Sequence, residues 1–317
     1  MIKMNKVLII ITLLLMTFTW TACSNADNSG EEDTNSNGDT SVTETTYPLT
    51  ITDDLGNEVT FEKAPEKIVS VSPGITETLF ELGLGENIIG RDGASDYPKA
   101  AQDLEIVGDY KGPNTELIID LAPEVVFAYE SIPEDVNQLL EASNIKVVVF
   151  NPTNVDGVLE NIKQVGVITN KQTRANELIE SMSAKRTEIL EKVKDVDQKK
   201  VFMDLGDFIS VGPNTFINSI LEEANAINIA SDSDTPWPTL SIEKIIEDNP
   251  DVYISTYTSV EDIKSVVGID VIEAYKNDNI IVIPWGTEEH NMIQRPGPRV
   301  VEGLEIYANT IYPELFE

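Results

Sequence analysis

Residues 115–125 read Thr-Glu-Leu-Ile-Ile-Asp-Leu-Ala-Pro-Glu-Val, and residues 242–252 read Ile-Glu-Lys-Ile-Ile-Glu-Asp-Asn-Pro-Asp-Val. Glu116 precedes Pro123 by the same spacing as Glu243 precedes Pro250. An Ile-Ile pair and an acid-Val pair recur in register. Each copy runs into a strand-like segment, Val125 to Tyr129 and Val252 to Thr256. A helix–strand unit written once in each half predicts two similar lobes. A ligand is expected between them.

Working outward, strand and helix signals alternate in both halves. Lys67 to Val71 and Lys200 to Asp204 read as buried strands, and Thr76 to Gly83 and Phe216 to Ala224 as helices. Asn87-Ile88-Ile89 is echoed by Asn228-Ile229-Ala230. Ile145 to Phe150 is a further strand, and Leu49 to Thr52 with Val59 to Phe61 a hairpin. Glu81 matches Glu222 before the middle loop, and Glu116 matches Glu243 after it. The first half therefore carries about 14 extra residues in the loop-rich stretch 91–110. The expected fold is α/β, two Rossmann-like lobes with mainly parallel sheets. Residues 171–196 join them: Ala175, Leu178, Ile179, Met182, Ile189, Leu190 and Val193 recur at helical steps without Gly or Pro. One linking helix of about 36 Å follows, and only small lobe motions are expected. The N-terminal lobe is assigned to 47–170 and the C-terminal lobe to 197–317.

The first residues have another character. Lys3 and Lys6 precede an apolar run from Val7 to Thr19, which ends in Trp20-Thr21-Ala22-Cys23. Residues 1–23 resemble a bacterial lipoprotein signal, cleaved so that Cys23 becomes the first residue and is lipidated. An ordinary secretory signal is the alternative. Cys23 is the only cysteine, so no intrachain disulfide can form. Residues 24–46 lack large apolar side chains apart from Val42 and read as a tether.

The chain holds 55 Asp and Glu against 22 Lys and Arg, a formal charge of −33. That surface repels nucleic acid. A single histidine, His290, argues against His-rich metal sites and leaves little room for a triad. No nucleophile elbow, P-loop or dinucleotide fingerprint is present. No catalytic residue, protein metal site or resident cofactor is assigned.

Loop aromatics carry the binding signal: Tyr97, Tyr110, Phe208, Trp237 and Trp285 follow strands or adjoin prolines. Each can equally anchor its loop in the core. Pro236-Trp237-Pro238 limits how far the ring can turn inward. Arg295, before Pro-Gly-Pro-Arg299, can reach an anionic ligand group or pair with a surface acid. Arg299 enters the final helix, Val300 to Ile311, and reads as structural. Asn114 and Ser241 are N-cap candidates, placing Glu116 and Glu243 in first helical turns. Either acid alone stabilises its helix. As a pair on equivalent lobe tips they can dock a basic partner.

These features resemble the cobalamin and iron-siderophore substrate-binding proteins of ATP-binding cassette importers, the helical-backbone class of periplasmic binding proteins. The resemblance runs from about Pro65 to the C-terminus. It rests on Lys67 to Pro73, the Glu-to-Pro repeat, the linking helix and Arg295 to Arg299. It implies that Glu116 and Glu243 pair with permease arginines. It also implies ligand contacts at Tyr97, Tyr110, Trp237 and Arg295, with Phe208 added as a candidate. Ser95-Asp96-Tyr97-Pro98 and Thr235-Pro236-Trp237-Pro238 look most like the vitamin B12-binding members. A cleft with mainly aromatics and one arginine suits a corrinoid or a hydroxamate better than an anionic siderophore. The expectation is an extracytoplasmic, lipid-anchored, monomeric receptor that captures a corrinoid for a permease and its ATPase. A ferric siderophore is the first alternative; a cleft enzyme and an adhesion module are the others.

Overall fold

The computed structural model describes residues 44–109 and 111–316. Cys23, the expected leader and residues 24–43 of the expected tether lie outside the described residues, as does Tyr110.

A hairpin, β1 (Leu49–Thr52) and β2 (Glu58–Phe61), opens the described chain. Its turn closes on Asp53, whose buried carboxylate accepts hydrogen bonds from the Leu55 and Asn57 amides and the Asn57 side chain. The same carboxylate accepts from the Val149 amide and so docks the hairpin on the first lobe.

That lobe alternates β3 (Ile68–Val71), α1 (Pro73–Glu81), β4 (Ile88–Asp92), β5 (Ile106–Asp109), β6 (Gly112–Pro113), α2 (Thr115–Leu121), β7 (Val125–Tyr129), α3 (Glu134–Ala142), β8 (Lys146–Phe150) and α4 (Val155–Ile168). The strand order is β6-β5-β4-β3-β7-β8, and every neighbouring pair is parallel except β5 with β6. The linking helix α5 spans Gln172–Val193. The second lobe follows with β9 (Lys199–Asp204), α6 (Phe216–Glu223), β10 (Ala226–Asn228), α7 (Ile242–Asp248), β11 (Val252–Ser255), α8 (Val260–Ser265), α9 (Glu273–Lys276), β12 (Ile280–Val282), α10 (Glu288–Gln294) and α11 (Val300–Ile311). Its sheet is wholly parallel, in the order β10-β9-β11-β12.

The two lobes share one pattern: the first strand lies inside the sheet, and the chain winds to one side and then to the other. In such sheets the crevice beyond the carboxyl ends of the strands is where ligands bind.

Two local readings need correction. The extra residues of the first half are not only loop, because they supply β5, against which the short antiparallel β6 pairs at the edge of the sheet. Arg91 organises that insertion: its buried guanidinium donates to the carbonyls of Ala101 and Asp92 at 2.7 and 2.9 Å. The segment 228–230, which echoes the start of β4 in sequence, does not continue as a strand, because β10 ends at Asn228. There the buried Asn228 side chain donates to the Val211 carbonyl and to Asn218, accepts from the Ala230 amide, and turns the chain out of the sheet.

The apolar core is continuous across the lobes. Ile68, Val125 and Val148 from the first sheet join one cluster with Val201, Met203 and Ile254 from the second. Ala175, Met182, Ile189 and Val193 on one stripe of α5 carry the packing from lobe to lobe, with α4 and α11 alongside. Separate clusters cover the outer face of each sheet.

Candidate functional site

The cleft begins where β3 ends. Ser72 leads into Pro73 and Gly74, and this turn meets Pro296 and Gly297 of the second lobe backbone to backbone. A Cβ on Gly74 would stand 2.2 Å from the Pro296 carbonyl oxygen, and one on Gly297 would stand 2.8 Å from the Gly74 Cα. Only glycine permits this approach.

Beside it, Glu77 on α1 is 2% exposed and accepts from both arginines of the second lobe. Arg299 donates through Nε and Nη2 at 2.8 and 2.7 Å, and Arg295 through Nη1 at 3.2 Å. Burial opposes the Arg299 charge, yet the Glu77 hydrogen bonds outweigh it and raise the guanidinium pKa above its ordinary value. Arg295 also donates to Asp96 and to the Ala94 carbonyl. Two acids therefore already share its Nη1, and it lines neither of the two flanking cavities. Glu77 was not singled out from sequence. The signal was there: two arginines four residues apart, entering a buried helix, need a buried acid.

Two cavities flank this contact, consistent with β3 lying between β4 and β7 in the sheet. The first, about 420 Å³, is lined by Tyr129 at the end of β7, Glu130 just after it and Pro152 after β8, with Phe216, Trp237 and Gln294 from the second lobe. Trp237 is held over it by its prolines. The Pro236 and Pro238 carbonyls accept from the Gly212 and Ser210 amides at 2.8 Å each, and the ring is left 51% exposed. Burial, with Glu130 second, pushes the Tyr129 phenol up, so it stays a neutral donor.

The second cavity, about 400 Å³, is lined by Asp96, Tyr97, Lys99, Glu288, Asn291 and Arg299. Asp92 fixes the loop by accepting from the Ala94 amide and the Ser95 hydroxyl. One face of the Tyr97 ring is covered by the Arg299 guanidinium at 3.8 Å.

Of the remaining candidates, Phe208 packs against the outer core cluster of its own lobe and lines neither cavity. The turn after β9 gives it a left-handed backbone (φ 61°), and its amide donates to the buried Asp204 carboxylate. Glu116 and Glu243 are exposed in the first turns of α2 and α7, capped by Asn114 and Ser241. Helices of a parallel α/β lobe start at the carboxyl ends of the strands, so each acid stands on the cleft side of its lobe. Hydrogen bonds from its own amide and from the Ser241 hydroxyl hold the Glu243 carboxyl below the ordinary range.

The same arrangement extends beyond this chain. A model of the periplasmic binding protein family matches residues 68–285. The chain belongs to that family. This periplasmic binding protein is 31% identical over 282 residues to the uncharacterized ABC transporter substrate-binding lipoprotein YvrC of Bacillus subtilis, covering 86% of this chain and 88% of that one. It is 28% identical to a cobalamin-binding protein of Halobacterium salinarum, over 84% and 74% of the two chains. Among solved structures it resembles a possible iron-binding, periplasmic solute-binding protein of Staphylococcus epidermidis. That match has a TM-score of 0.69 and 31% identity, over 79% and 100% of the two chains. The role of a chain of this family is to bind a solute for a transporter.

Proposed function

We propose that the solute is a corrinoid, captured in the cleft without chemistry and delivered to an ATP-binding cassette permease. The observation that carries this reading is the state of the arginines. Both cleft arginines are neutralised by Glu77 and Asp96. The other three are held elsewhere, Arg91 by carbonyls, Arg174 by Glu81 and Glu177, Arg186 by Asp156 and Glu223. A polyanionic siderophore needs free cations. A large, nearly neutral ring system needs aromatic walls and neutral donors, and Trp237, Tyr97 and Tyr129 supply them. The name of the Halobacterium relative supports the same ligand. That of the Staphylococcus structure favours iron, and a ferric hydroxamate is the second reading.

Glu116 and Glu243 are assigned to the permease, and Cys23 to a lipid anchor on the outer face of the cell membrane, with the protein acting as a monomer and holding no cofactor of its own. Among the described residues no helix is long and apolar enough to cross a membrane. Calorimetric titration with cyanocobalamin and with ferrioxamine B tests the ligand. Saturation by cyanocobalamin at micromolar concentration or below supports the proposal. Saturation by ferrioxamine B alone transfers the site to a hydroxamate. For the anchor, Cys23→Ala is expected to release the protein from membranes, and retention would refute lipidation there.

A further inference from the structure

Tyr257 and Trp285 form a stacked pair on the second lobe, with centroids 5.0 Å apart and planes at 25°. They are 57% and 60% exposed, among the most exposed aromatics of the described chain. Exposing two large rings in a highly acidic chain forgoes burial worth about 25 cal/mol per Å². The pair is not loose: the Trp285 amide donates to the Thr256 carbonyl at 2.9 Å. The edge of Trp285 also meets His290, at 4.5 Å and 62°.

The symmetry of the lobes says where this pair belongs. Val126 pairs with Val147 in the first sheet, and Tyr253 with Ile280 in the second. Four residues beyond Val126 stands Glu130, and four beyond Tyr253 stands Tyr257. Five beyond Val147 stands Pro152, and five beyond Ile280 stands Trp285. Glu130 and Pro152 both line the larger cavity. Their counterparts therefore belong to the opposite end of the cleft. There Gly286, next to Trp285, already lines the smaller cavity, as do Glu288 and Asn291 on either side of His290.

The chemistry of that end selects the ligand group. Tyr97 has one face covered by Arg299, so Tyr257 and Trp285 offer the free aromatic surface. The charges around them balance, Asp96 and Glu288 against Lys99 and Arg299, and Gln102 and Asn291 add amides. A wall of this kind favours neutral polar substituents over an anionic rim.

We propose that the Tyr257–Trp285 pair is the ring-binding wall of the second end of the cleft, and that it stacks a planar conjugated ring bearing neutral amide-like side groups. The proposal rests on the corrinoid reading and adds two contacts to it.

Two measurements on the full chain test it, with cyanocobalamin as probe. Trp285→Ala and Tyr257→Ala are each expected to weaken binding about tenfold while melting like the parent. In the parent, saturating cyanocobalamin is expected to protect Trp285 from oxidation by N-bromosuccinimide, read by peptide mass spectrometry. Binding within twofold of the parent in both variants, with Trp285 oxidised equally in the presence of cyanocobalamin, would overturn the wall and leave the corrinoid reading standing. Failure of the parent itself to bind cyanocobalamin would overturn both.

Discussion

Glu77 and Arg299 stand 222 positions apart in sequence and close two hydrogen bonds across the lobes, at 2.7 and 2.8 Å. With Arg295 on the same carboxylate, one buried acid holds two cations of the other lobe. Removing the acid strands both. Glu77→Gln is expected to cost about 3–5 kcal/mol in urea unfolding. A change below about 1 kcal/mol would show that the cations find water instead.

Acid sensitivity should trace to His290. The ring is 3% exposed, and neither nitrogen has a hydrogen-bond partner among the described residues. Burial chiefly lowers its pKa below 6.5; Asn291 works the other way, and Arg295 adds to the lowering. The unfolded chain therefore binds this proton more readily than the folded one. The stability it contributes is complete above about pH 6.5 and is lost as the pH falls from there through the lower folded value. His290→Leu is expected to flatten the melting temperature between pH 7 and 5. An unchanged slope would place the sensitivity among the carboxylates.

Docking and binding should separate. Reversing the charge of both Glu116 and Glu243 alters exposed first-turn positions outside both cavities. Solute affinity should stay within about twofold, while uptake by cells is abolished. Uptake that survives the double reversal removes these acids from the interface.

The two copies of the repeat end alike, with Ala122 (φ 49°) and Asn249 (φ 51°) in the left-handed region just before their prolines. Asn tolerates that conformation and Ala resists it. Ala122→Gly should therefore raise stability by about 1 kcal/mol, seen as a higher denaturant midpoint. A loss would mean that the flexibility gained in the unfolded chain outweighs the relief.

What the sequence made legible is local. The repeat fixes two seven-residue helices, each with its predicted cap and a single buried isoleucine, Ile118 or Ile245. The stripe on α5 and the bounds of α11 are readable for the same reason: helical periodicity lies within a few turns. What stayed hidden depends on distant partners. Nothing near Glu77 announces two arginines more than 200 residues later. Phe208 resembles Trp237 in being an aromatic in a loop after a strand, and only the left-handed turn on Asp204 directs it into its own lobe. The strand β5 hides because half of its residues are Gly and Asp, and the Arg91 contacts that stabilise its approach come from another strand.

The continuous core has a mechanical consequence. Halves that share one apolar interior resist gaping, because opening them would expose part of that interior to water. On the docking proposal, the permease grips it at two points, one per lobe, each remote from that interior. Loosening the grip on the solute then takes work delivered from outside, as torque on the two tips, and the ATPase is the source of that work. On that proposal the binding protein is a stiff pair of jaws opened by its customer, and the solute leaves where the transporter pulls rather than wherever the receptor happens to fluctuate.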